Sequence, residues 1–167
     1  MRLGIGYDIH RFEEGRPLVV GGIEIAGETG LGGHSDADVL LHAIIDALLG
    51  AAGLGDIGRH FPTDHPKWKD ASSLDLLART LVLVREAGFE VGNVDATVIA
   101  ERPRLAPHIP AMLGRIAAAL AVETTRVNLK ATTTEGLGAI GRGEGIAAMA
   151  VVLLTTDSQR MESEIIE

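Results

Sequence analysis

The amino-acid sequence predicts an α+β fold, an α/β sandwich in which a mixed four-stranded sheet carries its helices on one face. Three observations lead there. Strand-like and helix-like segments take turns along the chain, which lets them stack as layers. The segment after Ser35 carries an apolar stripe at Val39, Leu40, Ala43, Ile44, Ala47 and Leu48, the pattern of a helix lying on a sheet. The last apolar run, Ile146 to Thr156, suits a central, buried strand.

Each element has its own signal. Arg2 to Asp8 alternates well enough to open with a strand, and Leu18 to Ile25 reads as a short hairpin around Gly21-Gly22. Loop residues fill Ala26 to His34. Ser35 is the expected N-cap of the first helix, with Asp38 three residues on, and the Gly50 to Gly58 region ends it. A loop with Pro62 and Pro66 leads to a second helix, capped at Ser73, running to Ala87 and stopped by Gly88. Phe89 to Glu101 reads as a strand. Pro103, Pro107 and Pro110 break the chain before an Ala-rich third helix, roughly Ala111 to Val122. Val127 to Thr133 is strand-like and runs into a glycine-rich turn from Gly136 to Gly145. The acidic, polar residues Asp157 to Glu167 read as a frayed, poorly ordered tail, which leaves residues 1–156 as a single domain without repeat or linker.

Composition narrows the function classes. A chain of 167 residues, 46% hydrophobic and 23% charged, fits one globular domain and not a disordered segment. Aromatics are only 3%, so Leu, Ile, Val and Ala must build the core. The net charge of −8 argues against a nucleic-acid partner held on a broad basic face. Cysteine is absent, which removes disulfides, thiolate metal sites and cysteine nucleophiles together. Asp8, His10, Arg11, Glu13 and Glu14 interrupt any signal-like apolar region, and the run from Val39 to Leu54 contains His42 and Asp46 and is too short for a bilayer. A cytoplasmic protein with no membrane partner is expected.

Four constellations could carry chemistry. Asp8 and His10 sit two apart at the end of the opening strand, so both side chains aim to one side and offer half of a metal site. Asp38, His42 and Asp46 are spaced by four on one helical face. That stripe is either a solvated face or the source of a third ligand, His42, with Asp46 or Asp38 orienting its second ring nitrogen. Asp8, His10 and His42 would then leave a coordination position open, as catalytic zinc sites do. Backbone amides near Ser35, with the His34 imidazole, make an anion site, although Ser35 is also explained as a cap. Lys130-Ala131-Thr132-Thr133-Thr134-Glu135, followed by Gly136-Leu137-Gly138 and Gly141-Arg142-Gly143-Glu144-Gly145, offers hydroxyls and amides to phosphate oxygens and a carboxylate to a hard divalent cation. Ala100-Glu101-Arg102-Pro103-Arg104-Leu105 turns through a proline with two cations, and reads as an exposed loop or a contact for a base and a phosphate.

The stretches RLGIGYDIHRF, GGHSDADVLLHAIIDALLGAAGLGDIGRHFP, GNVDATVIAERPRLAPHIPAM and VNLKATTTEGLGAIGRGEGIAAMAVVLL resemble the 2-C-methyl-D-erythritol 2,4-cyclodiphosphate synthase family, in consistent order from Arg2 to Leu154. The resemblance implies zinc on Asp8, His10 and His42, substrate phosphate at His34 and Ser35, and the diphosphate with a second divalent metal, Mg²⁺ or Mn²⁺, at Thr133 and Glu135. His34 and Thr133 are the implied catalytic hydrogen-bond donors. It further implies that Asp56, Ile57, Gly58 and the loop Phe61, Pro62, Thr63, Asp64 and His65 contact the methylerythritol part. The cytidine half would lie against Ala100, Glu101, Arg102, Pro103, Arg104 and Leu105, and against Ala131 and Thr132, with Ala106, Thr134 and Arg142 as further implied substrate contacts. The family is homotrimeric, with sites at subunit interfaces. Arg142 and Glu144 would line a central cavity that takes an isoprenoid diphosphate. The implied reaction is a phosphorus–oxygen lyase cyclisation of 4-diphosphocytidyl-2-C-methyl-D-erythritol 2-phosphate that releases CMP, in the non-mevalonate isoprenoid pathway. Arg104 stands where a lysine is usual, Thr63 where an aspartate is frequent, and Gly136 and Ala139 where a lysine and an aromatic often stand. Two other classes use the same residues: a zinc hydrolase of phosphate esters, and a non-catalytic trimeric binder of isoprenoid-like diphosphates.

Overall fold

A computed structural model describes residues 1–156. The expectation for the tail, Asp157 to Glu167, falls outside the described residues. The first strand, β1 (Arg2–Arg11), runs antiparallel to the last, β6 (Gly145–Thr156), which is antiparallel to β4 (Phe89–Ile99), and β4 is parallel to β5 (Val127–Thr132). The order β1-β6-β4-β5 is the expected mixed four-stranded sheet, with β6 in its interior. Helices α1 (Val39–Ala52), α3 (Ser73–Glu86) and α4 (Ile109–Leu120) cover one face. A separate hairpin, β2 (Leu18–Val20) and β3 (Ile23–Ile25), turns through Gly21 and Gly22, both at positive φ, as a tight two-residue turn requires. The short helices α2 (Ile57–His60) and α5 (Gly138–Gly141) sit in loops, α5 inside the glycine-rich turn. Among the described residues no helix is long and apolar enough to cross a membrane.

The core is aliphatic, as the scarcity of aromatics requires: Leu40, Leu41, Ile44, Ile45, Leu48 and Leu49 of α1 are all fully buried. Val94, Ala96 and Val98 of β4 and Ala148, Ala150 and Val152 of β6 meet them from the sheet. The outer face of the sheet differs from the expectation of a strand buried on both sides. Leu3, Ile5, Tyr7 and Ile9 of β1 are 47–69% exposed, and Met149 and Val151 of β6 lie beside them, also exposed. The single chain therefore presents an uncovered apolar face.

Three helix boundaries depart from the sequence reading. Ser35 is not the cap of α1; Ala37 takes the left-handed conformation at φ 57° and Asp38 caps instead, accepting from the Leu41 N–H at 3.1 Å. Ser73 is the first residue of α3 and not its cap; its N–H donates to Asp36 Oδ2 at 2.8 Å, a cap supplied from a distant loop. Helix α4 begins at Ile109, with Pro110 in the first turn, where no N–H is needed.

Helix α1 lies unusually close to β1. A Cβ on Gly4 would sit 2.0 Å from the Ala47 carbonyl oxygen, and one on Gly6 would sit 1.9 Å from that of Ala43. Glycines on the strand and alanines on the helix let the two backbones touch. A methyl group at position 6 has no side chain to displace, so Gly6→Ala must push the helix away, an overpacking that costs about 2 kcal/mol or more. Gly50, in α1 with open space around it, is the control: Gly50→Ala should stabilise by about 1 kcal/mol. Urea midpoints of the two variants check both signs.

Asp38 ties the hairpin to α1. Its carboxylate is fully buried and accepts from the N–H groups of Gly21 (2.9 Å), Gly22 (2.7 Å) and Leu41 (3.1 Å). Burial pushes its pKa up to about 6, against the pull of the three N–H donors. The folded chain thus keeps a proton that the unfolded chain releases near its ordinary value of 3.8. This group's contribution to stability is largest below pH 4 and falls as pH rises through 6, by about 3 kcal/mol in all. In Asp38→Asn that decline is absent. Urea unfolding of both proteins at pH 4.5 and 6.5 reads it as a difference between two slopes.

Candidate metal centre and substrate cavity

Strand alternation turns Asp8 and His10 to the helix side of β1, and His42 enters from the second turn of α1. Because the glycine–alanine contact brings the two backbones together, the three side chains converge. His10 Nε2 lies 2.8 Å from Asp8 Oδ2, His42 Nδ1 lies 3.0 Å from the same oxygen, and the two nitrogens are 3.1 Å apart. Ligands on one tetrahedral zinc stand about 3.3 Å from each other. Two imidazole nitrogens and a carboxylate oxygen already form a triangle of nearly that size, and its donor set suits zinc.

Their neighbours support ligation. His10 Nδ1 donates to the Gly32 carbonyl at 2.6 Å, so Nε2 is the nitrogen turned to the triangle. Burial works against the Asp8 charge, yet hydrogen bonds from His10 and His42 and their charges hold its carboxyl well below the usual range. Burial likewise opposes protonation of His10, and the hydrogen bond and charge of Asp8 outweigh it, raising the imidazole pKa.

Neither Asp38 nor Asp46 orients the second nitrogen of His42, contrary to the sequence reading. Asp38 is occupied by the hairpin, and Asp46 Oδ1 accepts from the Ile57 N–H at 2.8 Å. His42 Nε2 instead faces two hydroxyls, Ser73 Oγ at 3.0 Å and Ser35 Oγ at 3.1 Å. Nor is the stripe a solvated face: Asp38 is buried, and His42 and Asp46 are half-buried.

The triad opens into a cavity of about 210 Å³. His34, Ser35, Ile57, Gly58, Phe61 and Thr63, all singled out in the sequence, line it together with the triad. Asp56 does not; its Oδ1 caps α2 through the Arg59 N–H at 3.0 Å. Pro62, Asp64 and His65 are also outside the lining, and His65 Nδ1 accepts from the Lys67 N–H at 3.2 Å. Arg16 holds the backbone of the His34–Ser35 loop by donating to the carbonyls of Gly33 (2.6 Å) and Ser35. Sequence reasoning missed Trp68 and Leu76 on the cavity wall. Trp68 packs edge-on against Phe61 with ring centroids 5.0 Å apart, and being the one tryptophan was its only signal.

A second cavity, of about 370 Å³, is lined by Ala100, Glu101, Pro103, Arg104, Leu105 and Ala106 on one side and Ala131, Thr132 and Thr133 on the other. It shares no lining residue with the first. Glu135, at φ 53°, donates its N–H to Thr133 Oγ1 at 3.1 Å. Glu101 serves the same loop: its Oε1 accepts from the N–H groups of Thr134 (2.9 Å) and Gly136 (3.2 Å) and from Thr134 Oγ1 (3.1 Å). Those backbone donors hold its carboxyl below its ordinary range. Outside this lining, the Arg102 guanidinium stacks 5.3 Å over the Phe12 ring, and Arg142 Nε pairs with Glu144 Oε1 at 2.6 Å.

The sequence is similar to proteins of established name. A protein from Halalkalibacterium halodurans called 2-C-methyl-D-erythritol 2,4-cyclodiphosphate synthase is 60% identical over 154 residues, 92% of this chain and 98% of that one. One of the same name from Syntrophobacter fumaroxidans is 58% identical over 95% of this chain and 100% of its own. Among solved structures, the bifunctional IspDF of Campylobacter jejuni superimposes with a TM-score of 0.90 at 48% identity, the match covering 93% of this chain and 42% of that longer one. A CDP-bound 2C-methyl-D-erythritol-2,4-cyclodiphosphate synthase gives 0.84 at 38% identity over 92% of this chain and 100% of that one. The sequence pattern of the YgbB family matches residues 1–155. With that match and relatives so similar over nearly their whole length, the chain belongs to the YgbB family of 2-C-methyl-D-erythritol 2,4-cyclodiphosphate synthases.

Proposed function

We propose that this chain converts 4-diphosphocytidyl-2-C-methyl-D-erythritol 2-phosphate to 2-C-methyl-D-erythritol 2,4-cyclodiphosphate with release of CMP, a phosphorus–oxygen lyase step in isoprenoid precursor biosynthesis. The observation that carries it is the Asp8–His10–His42 triangle lining one cavity together with His34 and Ser35, in a member of this family. Residues 1–156 act as one catalytic domain in the cytoplasm.

The chemistry needs no strong base. An oxygen of the 2-phosphate attacks the β-phosphorus, the bond from that phosphorus to the α–β bridging oxygen breaks, and the electron pair leaves with CMP. The obstacle is bringing anions together, so positioning and neutralisation are the tasks of the protein. Its net charge of −8 cannot supply the neutralisation. Asp8, His10 and His42 would hold zinc and Glu135 would hold Mg²⁺ or Mn²⁺, and such ions would supply positive charge to polarise the phosphorus and stabilise the leaving group. His34 and the Ser35 hydroxyl donate to phosphate oxygens in the first cavity, held there by Arg16. Thr133 donates to the diphosphate at the second, on the loop that Glu101 braces. Ile57, Gly58 and the Phe61–His65 loop take the methylerythritol part, and the segment from Ala100 to Ala106 with Ala131 and Thr132 takes the cytidine.

A homotrimer fits the uncovered apolar face of β1 and β6 and the division of the substrate groups between two unconnected cavities. Joining copies through that face would bury it and set the metal centre of one subunit against the nucleotide cavity of the next. Arg142 and Glu144 would then lie toward the axis, where an isoprenoid diphosphate is the proposed guest.

Two experiments test this reading. CMP release from the cytidylated substrate should stop on chelation and return only when zinc and magnesium are both restored. His42→Ala should lose at least about 1,000-fold in turnover while circular dichroism is unchanged. Release of inorganic phosphate instead of a cyclic diphosphate would make the protein a hydrolase, and binding without turnover would make it a carrier. Ile5→Glu, on the bare face, should yield a monomer in analytical ultracentrifugation and lose turnover along with assembly; a monomeric wild-type protein would overturn the trimer.

A further inference from the structure

The second nitrogen of His42 faces a hydroxyl whose own hydrogen is already committed. Ser73 is fully buried at the start of α3. Its Oγ donates to Asp36 Oδ1 in a close contact, while its N–H donates to Asp36 Oδ2 at 2.8 Å. Asp36 also accepts from the Asp38 N–H at 3.3 Å, and its own N–H donates to the Ala71 carbonyl at 3.1 Å, so the carboxylate is fixed in place. An ionised carboxylate can only accept, and a serine has one hydrogen to give. Ser73 Oγ therefore meets His42 Nε2, 3.0 Å away, with a lone pair.

We infer that Ser73, backed by Asp36, is a positioning residue of the metal centre: it accepts the Nε2–H of His42 and so holds the ring with its Nδ1 lone pair on the triangle. This rests on the reading of Asp8, His10 and His42 as metal ligands. The triangle needs that lone pair, since Nδ1 is the atom 3.0 Å from Asp8 Oδ2 and 3.1 Å from His10 Nε2. Both histidines are then fixed in complementary ways, His10 by a backbone carbonyl on Nδ1 and His42 by a hydroxyl on Nε2. A second consequence concerns Ser35. Its Oγ is 3.1 Å from the same Nε2 and accepts the Ala37 N–H at 3.2 Å, yet it lines the cavity. With Ser73 taking the imidazole proton, the Ser35 hydrogen is free to point into the cavity at a phosphate oxygen.

The zinc dissociation constant, measured by competition with a chromophoric chelator, tests the effect on the metal. Ser73→Ala leaves the backbone cap on Asp36 in place and should weaken zinc binding 10- to 100-fold, the range found when a ligand loses its outer partner. Asp36→Asn frees the Ser73 hydrogen to turn toward His42 and favours the opposite tautomer, so it should weaken zinc at least as much. Long-range ¹H–¹⁵N spectra of the zinc-loaded wild-type protein read which nitrogen carries the proton without any variant. They should show His42 ligating through Nδ1 and protonated on Nε2, with that proton exchanging faster with solvent in Ser73→Ala. Ligation through Nε2 in the wild type, or an unchanged zinc affinity in Ser73→Ala, would overturn the inference while leaving the metal site standing. Zinc binding that survives His42→Ala would instead sink the reading beneath it.

Discussion

The metal centre depends on how closely helix α1 lies against strand β1. Gly4 and Gly6 present no side chain to the helix, and Ala43, Ala47 and Ala51 present almost none in return. Ordinary side chains at those positions would separate the backbones and carry His42 out of reach of Asp8 and His10. Packing thus sets the geometry of a polar site. The cost is a stretch of strand with few inward side chains, and the large residues of α1 around it supply the lost core volume.

One edge of α1 then organises the loops around the cavity. Asp38, His42 and Asp46 follow one another at intervals of one turn, and each is consumed by a different segment. Asp38 takes the amides of the hairpin turn, His42 completes the triad, and Asp46 takes the Ile57 amide that starts α2. The stripe therefore fixes the hairpin, the ligand strand and the Ile57–Gly58 wall relative to one rigid helix. Buried polar groups have to be satisfied, and here their partners belong to the loops that form the site.

Much of this was legible in the sequence because it rests on periodicity. Alternation put Asp8 and His10 on one side of a strand, spacing by four put His42 on a polar edge, and the sheet with helices on one face followed from the order of segments. What stayed hidden depends on long-range pairing. Asp38 and Asp46 had the right spacing to serve His42, but distance in sequence does not reveal that Gly21, Gly22 and Ile57 reach those carboxylates first. Ser73 and Ser35 both looked like helix caps, because a serine before an apolar run fits that role locally. Only folding shows that Asp36 and Asp38 do the capping and that both hydroxyls are turned to an imidazole. The Gly32 carbonyl on His10 has no side-chain signal at all.

Assembly follows from the same economy of charge. An acidic chain can bind a triply phosphorylated substrate only where cations and oriented donors are concentrated. This chain gathers oriented donors in two places, the His34–Ser35 loop beside the triad and the Thr133–Glu135 loop braced by Glu101, and the triad, His34 and Ser35 line one cavity while Glu101 and Thr133 line another. A diphosphate spanning both would need those cavities brought edge to edge, and the uncovered apolar face of β1 and β6 gives copies of the chain a reason to associate. On that arrangement the apolar face takes part in catalysis without touching substrate: burying it is what would complete the site, and a lone subunit would hold the metal ligands without the opposing half.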